Sequence, residues 1–205
     1  MESPLYNAPT LRSQLRYYRS SAGPDALAPQ RSAAPHRRIA PAREEMHSQL
    51  VIANRLSQPS YVSFRTALEW YGILSPGNAR EVWSATAIGA SQHRERAGCI
   101  YHFIRLPKAY FSVGQAELPD DPHGLYKIAS PEKALCDLLL AQPNLPCGSK
   151  EKARDYLLHE LHADESKLAL LSTDHFHRCL MAAHKKQHHL FHVEEYLRTL
   201  SRESS

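Results

Sequence analysis

The chain has 205 residues, enough for one ordinary domain with an appendage, and its 42% hydrophobic and 22% charged residues are those of a protein most of which folds. The net charge of +4 is mild, and the four cysteines are scattered without a C-x-x-C pair or a secretory signal ahead of them. With no uninterrupted apolar run of about eighteen residues, membrane-spanning and secreted readings are set aside, and reduced thiols in a cytoplasm are expected.

Positive charge gathers at the start, where Arg12, Arg16, Arg19, Arg31, Arg37 and Arg38 stand among Pro4, Pro9, Pro24, Pro29, Pro35 and Pro41. Such a mixture buries too little apolar surface to offset the entropy of ordering it, so residues 1–44 are expected to be a disordered Arg/Pro-rich leader. Within it, only Leu11 to Ser20 has a pattern compatible with a helical turn or two. The first folded helix is expected from Glu44 to Leu56, with acids at its start, Arg55 at its end and Met46, Leu50 and Ala53 at helical spacing.

PSYVSFRTALEWYGIL follows, from Pro59 to Leu74. Tyr61 and Val62 are extended-type residues, Ser63 stands where an N-cap belongs, and Phe64, Ala67, Leu68 and Tyr71 recur at i, i+3, i+4 and i+7. Gly72 falls where a helix end calls for a left-handed residue. A helix-turn-helix would need a recognition helix next, yet Pro76 and Gly77 make a turn and Val82, Ser84, Thr86 and Ile88 read as strand. The DNA-reading alternative is rejected for this segment.

Gly98 to Leu106 reads as a strand buried on both faces, joined to Val82–Ile88 as a long-looped hairpin, with short strands expected near Phe111 and Tyr126. Ser130, Pro131 and Glu132 announce a helix as N-cap, first helical residue and acid beside the unpaired amides; Ala134, Leu135, Leu138 and Leu139 make it apolar. Asp137 needs a partner in such a run, and Lys133, four residues back, offers one. Three helical patterns follow, Lys150–Leu161, Glu165–Leu171 and Asp174–Leu200 with a break near Lys186. The expected fold is therefore α+β: a small mixed or antiparallel sheet flanked by helices in an α+β core over residues 45–145, then a C-terminal helical region over 146–205.

Histidines crowd the last third, and His184, His188 and His192 have the i, i+4 spacing that lets imidazoles share a metal. The intervening Lys185, Lys186 and Gln187 supply none of the carboxylate of an H-E-x-x-H site, so a metal-dependent hydrolase is only the weaker alternative. No G-x-S-x-G, P-loop or dinucleotide fingerprint is present. No catalytic, cofactor-binding or metal-binding residue is assigned, and no cofactor or enzymatic activity is expected.

The two motifs resemble those of the AbiEi family of bacterial abortive-infection antitoxins and transcriptional regulators. The resemblance rests on Ala53-Asn54-Arg55-Leu56, on Pro59, Ser60, Tyr61, Val62 and Ser63, on Ala67, Leu68, Tyr71 and Gly72, and on Ala129, Pro131, Glu132, Lys133, Ala134, Leu135, Asp137 and Leu138. It spans roughly residues 48–200. It implies a cytoplasmic, non-enzymatic protein of a type IV toxin-antitoxin system that neutralises a cognate nucleotidyltransferase toxin and represses its own operon through an N-terminal winged helix. The proline-rich leader is too short for that winged helix, so operator DNA is a lesser expectation than the toxin. A stand-alone DNA-binding regulator using the basic leader and C-terminal lysines is the alternative. Read physically, the signature residues are caps, turns and core; Arg65, Lys133, Lys150, Lys152, Lys185 and Lys186 are candidate partner or nucleic-acid contacts on charge and expected exposure.

Overall fold

The computed structural model describes residues 43–116 and 126–203. The expected leader, with its helical turn at Leu11–Ser20, lies outside the described residues except for Arg43 and Glu44, which open the first helix.

That helix, α1 (Arg43–Leu56), is followed by β1 (Ser60–Val62), α2 (Phe64–Trp70), β2 (Glu81–Thr86), β3 (Gln92–Arg96), β4 (Cys99–Arg105), the single turn α3 (Lys108–Phe111), β5 (Gln115–Ala116) and β6 (Ile128–Ala129). The strands form one mixed sheet in the order β3-β4-β2-β1-β6-β5. Then come α4 (Pro131–Ala141), α5 (Lys150–Asp155) running on into a π-helical turn over Tyr156–Glu160, α6 (Glu165–Leu168), α7 (Thr173–Ala182) and α8 (Gln187–Glu203). The α+β reading with a helical C-terminal region holds.

Local signals explain much of this. Helix α2 ends in a Schellman motif: Gly72 takes φ +70°, its N–H bonds Glu69 O at 3.0 Å, and Ile73 N–H bonds Leu68 O at 2.9 Å. Ser130 caps α4, accepting from Lys133 N at 3.2 Å, with Pro131 in the first turn. The expected break near Lys186 falls between α7 and α8, where Lys186 itself has φ +60°.

Two expectations fail. The supposed long-looped hairpin is not one, because β2 and β4 run parallel, Glu81 opposite Ile100 through Thr86 opposite Arg105. The connection that read as a polar loop contains β3, and the two-residue turn Ala97–Gly98, at φ +52° and +72°, makes β3 the antiparallel partner of β4. Residues 87–91 carry the chain across the end of β4, where Arg105 N donates to Ser91 Oγ at 3.0 Å. An edge strand reading QHRER has little apolar pattern because its charges face water and discourage further pairing. The strand expected at Phe111 is instead the helical turn α3, started by Pro107, whose carbonyl accepts from Phe111 N at 2.9 Å. Four residues are too few for periodicity to identify.

The sheet packs against helices through a continuous apolar core that runs from Leu50 to Leu200. Helix α4 lies at its centre, nearly every side chain buried, touching α2 on one side and α7 on the other. Helix α8 packs on both α5 and α7. No helix among the described residues is long and apolar enough to cross a membrane.

Candidate functional site

Residues from the two motifs meet inside the protein. Strand β1 directs Tyr61 inward, and the joint between β1 and α2 turns Ser63 the same way, so both hydroxyls donate to one oxygen of Asp137 on α4. Tyr61 Oη lies 3.0 Å and Ser63 Oγ 2.6 Å from Asp137 Oδ2. One helical turn earlier on α4, Lys133 Nζ lies 2.9 Å from Asp137 Oδ1. Tyr61, Ser63, Lys133 and Asp137 are all 0% exposed.

A lysine so placed needs every proton directed at something. Lys133 Nζ also donates to the Tyr110 carbonyl at 3.2 Å and sits 3.1 Å from the centroid of the Tyr110 ring. Above its stem the chain passes as Gly114, at φ +69°; a Cβ there would stand 3.2 Å from Lys133 Cβ and 2.9 Å from Cys179 Sγ. Burial first and the Asp137 charge second push the Tyr61 and Tyr110 hydroxyls well above their ordinary range. Those hydroxyls therefore stay protonated, and the cluster works as a charge-balanced tie between β1, α3 and α4.

The joint carries an uncommon feature. Phe64, the first residue of α2, has φ +55° while only 1% exposed. Bulky side chains seldom take that conformation, and burial of the ring holds it there. Ser63, expected to cap α2, makes no such bond. Its hydroxyl is committed to Asp137, a partner 74 residues away that no local pattern reveals.

Other signature residues serve the same framework. Asn54 of α1 grips the backbone of Lys127 from both ends of its amide, accepting from Lys127 N at 2.9 Å and donating to Lys127 O at 3.2 Å. Tyr71 Oη donates to Ala129 O at 3.0 Å. Glu132 stands in the first turn of α4 as expected, and its carboxylate accepts from Ser172 N at 2.9 Å, which ties α4 to the start of α7. Ala67, Leu68 and Ala134 are fully buried, and Ser60 nearly so.

Against this background the expected surface contacts divide. Lys150, Lys152 and Lys185 are exposed. Lys133 is not, for the reasons above. Arg65 is largely engaged, its Nε 2.6 Å from Glu69 Oε1 under the turn at Gly77. Lys186 is half-buried because its Nζ donates to the last carbonyls of α4, Leu140 O at 3.1 Å and Leu139 O at 3.4 Å. Lys185 instead joins Arg105 and His184 around a small cleft of about 170 Å³ floored by Leu106, Tyr110 and Leu140.

The histidines do not form one face. His184 precedes the break, whereas His188 and His192 lie a turn apart on α8 with their Nε2 atoms 3.3 Å apart. Among the described residues no group of three or more His, Cys, Asp or Glu side chains is arranged to hold a metal ion. Cys136 and Cys179 touch across α4 and α7; burial pushes the Cys136 thiol up, while the hydrogen bond from it and the charge of Lys133 draw Cys179 down. Tyr110 and Gly114, which cover Lys133, belong to no motif, and their contact with it is wholly non-local, so no local pattern marks them.

No family model matches the chain, and no curated protein or solved structure is significantly similar to it.

Proposed function

We propose that this protein is a non-catalytic, antitoxin-like regulator of the type IV toxin-antitoxin class, acting by binding a nucleotidyltransferase toxin. The observation that carries the reading is the use made of the motif residues. Tyr61, Ser63, Lys133 and Asp137, four of the residues that carry the resemblance to the AbiEi pattern, close on one another in the core and leave no polar atom directed at solvent. Residues spent on shape fit a protein whose product is a surface. A catalytic group must reach its substrate, and these do not.

The exposed Lys150 and Lys152 on α5 and, separately, Lys185 with Arg105 and His184 around the cleft with an apolar floor are candidate contacts for a partner carrying carboxylates. Co-expression tests the proposal. Growth arrest caused by a nucleotidyltransferase encoded beside this gene should be relieved by the full chain. Absence of such a neighbour, together with failure to relieve any candidate toxin, overturns it. Autoregulation is checked separately by a gel shift on the gene's own promoter across salt concentrations, where retardation lost steeply with salt marks phosphate contacts.

A further inference from the structure

We propose that His188 and His192 on α8 form a bidentate surface site for a borderline transition-metal dication, copper(II) or zinc(II), with water completing the coordination. The two Nε2 atoms are 3.3 Å apart, whereas the ring centroids are 4.6 Å apart, so the rings converge through their nitrogens. Two imidazoles bound tetrahedrally at about 2.0–2.1 Å must hold their nitrogens about 3.3–3.4 Å from each other. The helix already sets that separation for zinc(II), and a small rotation of the rings brings the nitrogens to the closer spacing of tetragonal copper(II).

The outer contact fits as well. His192 Nδ1 lies 2.8 Å from Glu195 Oε2; the carboxylate accepts, which places the proton on Nδ1 and leaves the Nε2 lone pair to accept from His188 Nε2, a proton that a bound metal replaces. Metal-binding histidines are characteristically held in this way by a carboxylate on the other nitrogen. His188 is exposed and the cluster is open to water, so a metal can enter without any rearrangement of the core. With only two protein ligands the site is exchangeable, and imidazole nitrogens favour copper(II) over zinc(II) and both over magnesium. This inference is independent of the toxin-binding proposal.

Calorimetric titration of the full chain, free of any histidine tag, with copper(II), zinc(II) and magnesium salts tests it. Expected is one equivalent of copper and of zinc, copper the tighter, and no uptake of magnesium. His188→Gln and His192→Gln should each weaken binding by about tenfold or more, and Glu195→Gln should keep the one-to-one stoichiometry with affinity down about tenfold and the metal-free melting temperature unchanged. His184→Gln, across the helix break, should bind as the parent does. The proposal is overturned if neither copper nor zinc binds with one-to-one stoichiometry, or if either histidine of the pair can be replaced without loss. Unchanged affinity in Glu195→Gln would remove the positioning role of that carboxylate.

Discussion

The protein holds two clusters of ionisable side chains that differ in what they leave unused. Around Asp137 the partners are internal: two hydroxyls, one ammonium and a carbonyl lie against one another where the side chains have no exposed surface. On α8, His188, His192 and Glu195 touch one another too, yet their outer faces meet solvent. Polar residues inside a core specify a shape, because an unmet donor or acceptor there is costly; the same residue types on a helix surface keep capacity for a ligand. The motif letters of this chain belong to the first kind. The binding proposed above rests on residues without a motif.

The largest effect that would sharpen this contrast comes from Asp137→Ala. Removing one partner of a buried pair strands Lys133 and two hydroxyls, so urea unfolding should report a loss of about 3–5 kcal/mol or no stable fold. A loss under about 1 kcal/mol would mean that water reaches the cluster, and the distinction drawn above would fail.

Gly114→Ala comes next. The added methyl must take φ +69° and press on Lys133 Cβ and Cys179 Sγ, for a cost of about 2 kcal/mol with chemistry otherwise untouched. The same replacement at Gly72 has open space and should suffer the conformational strain alone, about 1 kcal/mol. Comparing the two midpoints separates strain from crowding.

Histidines offer a third test, because His102 lies on the buried side of the comparison. Stacked on Trp83 at 3.9 Å, it is lowered by burial to about 4. The unfolded chain then binds the extra proton between pH 6.5 and about 4, so stability falls as pH drops through that window. The loss should be about 3 kcal/mol once the pH is below about 4. His102→Gln should flatten the profile measured by thermal melts. If it does not, another group governs acid sensitivity.

The smallest effects are expected from the exposed lysines. Lys150→Ala and Lys152→Ala should move stability by no more than about 0.5 kcal/mol. Their value lies in the co-expression assay, where weakened relief of growth arrest without a change in melting temperature would assign them to the partner surface.

Much of the local structure was legible in the residues themselves. Ser130 and Pro131 start α4, Gly72 ends α2, and the break before α8 sits at Lys186, all because caps and breakers act over three or four neighbouring residues. Lys133 and Asp137 could be paired in advance for the same reason, being one helical turn apart. What sequence could not supply was the partner from elsewhere in the chain. Ser63 carries the pattern of a cap, and only the approach of α4 diverts its hydroxyl to Asp137; β2 and β4 carry the pattern of a hairpin, and only the insertion of β3 makes them parallel. Lys133 looked like a surface charge until α3 and Gly114 closed over it. Helix ends and turns are decided by short-range sterics and hydrogen bonds, whereas burial and strand partnership depend on segments many residues distant, whose meeting is fixed by the packing of the whole core.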